Sequence, residues 1–154
     1  MKGNELKIFR RHLPHWTLEG SVYFVTFTCL AIKLSIKEQK LLLEHIKGGD
    51  NKFYILYAVI VMPTHVHLLL KPNESYSLSR IMKGIKGVTA HQINQLRNTS
   101  GSIWLEESYD RIVRDYDEFM EKLAYMFNNP IKSGFTEDTE NYHGWYLNEE
   151  ALKY

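Results

Sequence analysis

Cysteine is nearly missing from this chain: Cys29 is the single one among 154 residues, so no internal disulfide can form. Long apolar runs are missing too. The longest strongly apolar stretch, Ala58 to Met62, is far short of the ~20 residues a membrane helix needs. The start, MKGNELKIFRR, lacks the apolar centre of a secretory signal. These absences lead to the expectation of a cytoplasmic protein with no membrane partner. Charge of one sign is also scarce, with 19 Lys and Arg against 18 Asp and Glu and a net +1. That excludes the global polyanion-binding signature of a strongly basic domain, so any nucleic-acid site must be local. What is present, 44% apolar and 24% charged residues, suits one compact domain spanning 1–154.

The charge is unevenly distributed within that domain. Ser75 to Leu105 holds Arg80, Lys83, Lys86 and Arg97 with no acid, and residues 1–20 form a basic arm with Lys2, Lys7, Arg10 and Arg11. Residues 135–154 form an acidic tail, with Glu137, Asp138, Glu140, Glu149 and Glu150 against Lys153.

Alternation in VYFVTFTC, Val22 to Cys29, predicts a strand with Tyr23, Val25 and Phe27 on one face and Phe24, Thr26 and Thr28 on the other. Leu41, Leu42, His45 and Ile46 predict a helix over Lys37 to Lys47, closed by the turn Gly48-Gly49-Asp50-Asn51. Phe53 to Val61 and His65 to Lys71 read as two strands around Met62-Pro63-Thr64, since proline is unsuited to the middle of a strand. Apolar residues from Leu78 to Leu96 at helical spacing predict a long helix capped by Ser77 and ending near Arg97. Gly84 and Gly87 weaken it, and a close approach by a strand or a phosphate backbone is the expected compensation. Ile103 to Leu105 and Arg111 to Val113 are short strand candidates. A last helix is expected to be capped by Asp117 and stopped by Pro130, with irregular chain after Gly134. The order gives an α+β fold, a ferredoxin-like or RRM-like antiparallel sheet with helices packed on one face and the other face free for a site.

His65-Val66-His67 is the sharpest chemical feature. A strand's period of two sends both imidazoles to one face, ~6.5 Å apart along the backbone, close enough to converge on one divalent ion. In the last helix Phe119, Leu123, Met126 and Phe127 make the buried stripe, leaving Glu118, Glu121, Lys122 and Tyr125 on a polar flank. Asn129 lies one turn beyond Tyr125, and its amide oxygen could complete a metal site. A third alternating histidine, which a histidine-triad nucleotide hydrolase would require, is replaced by Leu69.

MPTHVHLLLKP at Met62 to Pro72 and YMFNNPIKSG at Tyr125 to Gly134 together resemble the REP-associated tyrosine transposases, which are single-tyrosine HUH endonucleases. RRHLPHW (Arg10 to Trp16), YFVTFTC (Tyr23 to Cys29), IMKGIKGVTAHQIN (Ile81 to Asn94) and WLEESYDRIVRD (Trp104 to Asp115) extend the likeness from Arg10 to Trp145. The resemblance implies a DNA-nicking and strand-joining enzyme. Tyr125 would be the nucleophile, forming a 5′-phosphotyrosine link in single-stranded DNA. His65 and His67, with Asn129 as third ligand, would hold Mg²⁺ or Mn²⁺. The implied partners are hairpins of repeated extragenic palindromes, bound by a monomer or homodimer. Thr64 stands where family members usually carry asparagine, which bears on fine positioning. Candidate DNA contacts are Arg10, Arg11, His15, Trp16, Lys83, Lys86 and Arg97. A non-catalytic single-strand nucleic-acid binder on the same fold is the alternative, and it predicts that Tyr125→Phe changes nothing.

Overall fold

The computed structural model describes residues 20–152. In chain order the elements are β1 (Val22–Thr28), α1 (Ile36–Gly48), β2 (Tyr54–Val61), β3 (His65–Pro72), α2 (Leu78–Arg97), β4 (Tyr109–Val113), α3 (Tyr116–Lys132), a short 3₁₀ turn (Thr139–Asn141) and β5 (Trp145–Leu147). The strands form one sheet in the order β4-β1-β3-β2-β5, every pair antiparallel. The expected α+β, ferredoxin-like architecture is therefore present, with β5 added at one edge. Among the described residues, no helix is long and apolar enough to cross a membrane.

β3 occupies the middle of the sheet, and Leu68, Leu69 and Leu70 within it have no solvent exposure. Buried on both sides, the strand reads as a continuous apolar run after its histidines. One core, with Val25, Phe27, Val66, Leu68 and Leu70 from the sheet, receives Leu42 and Ile46 of α1 and Ile81, Ile85 and Ile93 of α2. The opposite face, with Val22, Phe24, Ile60 and Leu69, receives Phe119, Leu123 and Met126 of α3. Two helices thus share one face as expected, while α3 crosses the other and leaves only part of it open. β2 breaks its alternation at a bulge between Leu56 and Ala58, which puts both Tyr57 and Ala58 into the α3 core.

Helix ends follow local chemistry. Ser35 and Glu38 make a reciprocal capping box on α1, and Ser77 caps α2 as expected. α3 begins earlier than the sequence suggests: Asp115, not Asp117, is the cap, its side chain accepting the Glu118 N–H. The helix also runs through Pro130 to Lys132. Proline loses one ladder bond and crowds the preceding turn, but it lies in the final turn and its side chain is buried, so packing offsets the cost. Of Ile103 to Leu105 only Trp104 pairs, as a single bridge to Cys29. The chain after Gly134 is less irregular than expected, since Trp145, Tyr146 and Leu147 pair with Ile60, Val59 and Ala58.

The space above Gly84 and Gly87 differs from expectation. A Cβ at either position would meet nothing within 4 Å, so no described strand uses the gap. α2 packs through Ile81, Met82, Ile85, Thr89 and Ile93, and the glycines lie off that stripe. Gly84 borders a cleft of about 620 Å³ shared with His45, Phe53, Tyr76 and Arg80, remote from the histidine pair on the other side of the sheet.

Candidate active site

Cross-strand register builds the site. Thr26 of β1 and Ile60 of β2 flank His67, and Thr28 lies opposite His65. Val66 faces the α1–α2 core, so both imidazoles point to the α3 side. Their ring centroids are 4.9 Å apart. His67 is only 4% exposed. Burial, with His65 alongside, pushes its imidazole down to about 3, and burial lowers His65 as well. Both rings are therefore neutral at pH 7, the form that offers a lone pair.

Hydroxyls orient the rings. The Thr26 Oγ1 lies 2.7 Å from His67 Nδ1, and Thr64 Oγ1 lies 3.1 Å from His65 Nδ1. When each Nδ1 carries the proton and donates to its threonine, Nε2 is left as the acceptor nitrogen. The Thr64 hydroxyl thus reaches the His65 ring directly. The hairpin turn is tied down around it: Met62 N–H donates to His65 O at 2.8 Å, and Cys29 N–H donates to Thr64 O at 2.8 Å.

α3 brings the other half. Tyr125 is 52% exposed, with its ring edge-on to His67 at a centroid separation of 5.3 Å. Because the helix continues past Asn129, that residue stays on the Tyr125 flank, and its amide nitrogen lies 3.3 Å from His67 Nε2. A half-turn of the amide would present its oxygen there instead. Phe24 unites these groups: its ring stacks on His67 at 5.4 Å, meets Tyr125 edge-on at 6.2 Å, and carries the Lys122 ammonium 5.2 Å from its centroid. The sequence reading missed both Phe24 and Thr26. Alternation already placed them together on one face of β1, but the register that sets them beside His67 depends on strand pairing.

The donor set fits a divalent ion in kind: two neutral imidazoles whose Nε2 atoms are acceptors, the His67 one facing the Asn129 amide at 3.3 Å, with that amide one helical turn from a phenol. Among the described residues no group of three or more His, Cys, Asp or Glu could hold a metal, so no described carboxylate joins the set. An ion there would keep its full double charge for an anionic substrate.

The proposed DNA contacts separate into three groups. Arg10, Arg11, His15 and Trp16 lie outside the described residues. Lys83 is exposed on α2, away from the imidazoles. Lys86 and Arg97 are engaged within the chain. The Lys86 ammonium donates to Leu105 O, Glu106 O and Ser108 Oγ at 2.8, 2.9 and 3.1 Å. Arg97 grips the Glu38 carboxylate and donates to Lys33 O. Their donors are committed to holding loops, which the sequence could not distinguish from exposed cations. On the α3 side, Arg111 and Arg114 instead converge on Glu118. Arg111 is held above its ordinary range chiefly by its hydrogen bond to Glu118, with a smaller contribution from Tyr109.

Known proteins resemble the chain along most of its length. A Haemophilus influenzae protein named among the REP-associated tyrosine transposases is 22% identical over 137 residues, covering 77% of this chain and 75% of its own. The solved structure of a REP-associated tyrosine transposase bound to a REP hairpin superposes with a TM-score of 0.69 at 19% identity, over 91% of this chain and 82% of that one. A Deinococcus radiodurans protein described as a transposase has a TM-score of 0.50 at 17% identity, over 80% and 97% of the two chains. At such identities these structures establish the shared fold. The family model described as Transposase IS200 like matches residues 32–116, more than half of the sequence, and the chain belongs to that family.

Proposed function

We propose that this transposase-family chain nicks and rejoins single-stranded DNA at REP-type hairpins, with Tyr125 as nucleophile and with Mg²⁺ or Mn²⁺ held by His65, His67 and Asn129. The observation that carries the reading is the meeting of an exposed phenol with a neutral histidine pair, His67 buried and His65 half-buried: the Tyr125 and His67 ring centroids are 5.3 Å apart and the Asn129 amide lies 3.3 Å from His67 Nε2. The likeness to a transposase bound to a REP hairpin supports the choice of substrate.

The chemistry follows from the groups present. The Tyr125 phenolic oxygen attacks a backbone phosphorus; a Tyr–O–P bond forms, the P–O3′ bond breaks, the phenolic proton passes to solvent and the departing 3′-oxygen takes up a proton. The product is a 5′-phosphotyrosine link and a free 3′-hydroxyl. A second strand's 3′-hydroxyl reverses the step, so no nucleotide cofactor is required. A tyrosine in water has a pKa near ~10, leaving about one molecule in a thousand ionised at pH 7. The bound ion would supply charge stabilisation on the phosphoryl oxygens. Thr26, Thr64 and Phe24 hold the imidazoles in place, and the half-exposed Tyr125 admits a strand too large for a closed pocket.

The test is a labelled hairpin oligonucleotide with a single-stranded flank, incubated with Mn²⁺ and then denatured. A covalent protein–DNA adduct is expected, lost in Tyr125→Phe, in His65→Ala and with a chelator, while hairpin binding persists in Tyr125→Phe. An adduct that survives in Tyr125→Phe would assign the nucleophile elsewhere. No adduct from the unaltered chain under any divalent metal would leave binding alone as the function.

A further inference from the structure

The candidate site occupies one row of the sheet, and the row does not end at the histidines. Reading across neighbouring strands on the α3 face, Trp145 pairs with Ile60, Ile60 with His67, His67 with Thr26, and Thr26 with Tyr109. Directly opposed residues in antiparallel strands share a face. Tyr109 therefore stands on the same face as His67, two strands away, at roughly 10 Å by the usual strand spacing. It is a large aromatic that the fold leaves 56% exposed. β4 is the outer strand of the sheet, so the ring stands at the sheet's edge with no further strand beside it among the described residues. Arg111, two residues on and so on the same face, adds a cation that Glu118 holds in place.

The approach to Tyr109 is built rather than loose. Leu105 N–H donates to Thr28 O at 2.9 Å, tying the incoming segment to β1. Lys86 reaches over from α2 and caps two carbonyls and the Ser108 hydroxyl immediately before Tyr109. An exposed tyrosine fixed in this way has lost most of its backbone freedom before any ligand arrives. That is the condition under which an aromatic ring makes an efficient stacking surface.

We infer that Tyr109 is a stacking platform for an unpaired nucleobase in the single-stranded segment flanking the cleaved bond. This rests on the reading of single-stranded DNA as substrate. At ~3.4 Å per stacked nucleotide, the separation from His67 corresponds to about three nucleotides. The platform recognises the face of a base through the ring, and its hydroxyl has no part in the chemistry.

The test compares Tyr109→Ala, Tyr109→Phe and Tyr109→Trp, each shown to fold by circular dichroism and thermal melting. Binding is measured for a hairpin with its single-stranded flank and for the same hairpin without it. Tyr109→Ala should weaken flanked binding about tenfold to a hundredfold and leave the bare hairpin within about twofold. The phenylalanine and tryptophan variants should bind like the unaltered chain. Equal affinity of Tyr109→Ala for the flanked hairpin would overturn the inference. So would equal loss on the bare hairpin, or a loss in Tyr109→Phe as large as in Tyr109→Ala. Binding separates this inference from the enzyme assignment: a chain that never forms an adduct can still show the flank effect, and one that forms adducts normally can fail to show it.

Discussion

Thr26 illustrates how one hydroxyl can fix the orientation of a ring in the proposed site. It sits on a buried strand, 2.7 Å from the inner nitrogen of His67, and its removal would free the ring to rotate and to exchange tautomers. Groups that orient ligating histidines typically contribute 10- to 100-fold to site function. Thr26→Val, nearly unchanged in volume, should therefore slow adduct formation by about 10- to 100-fold, whereas Thr26→Ser should stay within a few-fold of the unaltered rate. Single-turnover adduct formation with Mn²⁺ measures both. The shared face of the two histidines and the flank position of Tyr125 were legible because a period of two and a helical spacing restrict where side chains can point, while their selection as a candidate site came from the resemblance. Thr26 and Phe24 were not, because their importance comes from a pairing register between segments forty residues apart in the chain. Local alternation does not carry that information.

Elements were legible where patterns are long and caps are polar. The 20-residue α2 with its Ser77 cap follows the periodicity from which it was expected. The three-residue β5 is too short to show a period, and Pro130 marks a weakening of α3, not its end, because buried packing outweighs the lost bond. Lys86 shows the limit of counting charges along a helix. Its three hydrogen bonds clamp the loop before β4, a task for which the sequence gives the cation but not the acceptors. Lys86→Met should lower stability by about 1–3 kcal/mol while leaving the salt dependence of hairpin binding unchanged. A lysine that contacts phosphate would instead reduce the slope of log affinity against log salt by about one. Denaturant melts and binding titrations at several ionic strengths distinguish the two.

At the scale of the whole molecule, two acidic anchors make its stability depend on pH. Glu118 is drawn down to about 2, first by the Arg114 backbone N–H and then by Arg111. Glu38 is lowered from its ordinary 4.5, first by its hydrogen bond from Arg97. In the unfolded chain both carboxyls return to ordinary values, so the native state favours their charged forms. That stabilisation is complete above about pH 4.5 and is lost progressively as pH falls toward the folded-state values. His67 and His65, held neutral by burial below their ordinary 6.5, add a loss that begins at higher pH. Thermal melts should therefore decline from about pH 6.5 and more steeply below about 4.5, and Glu118→Gln should show a shallower decline in the lower range with a lower melting temperature near neutrality.

β5 covers Ala58, Val59 and Ile60 along the outside of β2, and Asn148 extends that cover by donating its backbone N–H to Tyr57 O and its side-chain amide to Leu56 O. The acidic terminal region is therefore also a shield. A protein shortened after Asn141 would leave its most apolar strand with a bare flank able to template the same strand of another copy, and light scattering should detect such self-association well below the temperature at which the rest of the domain melts.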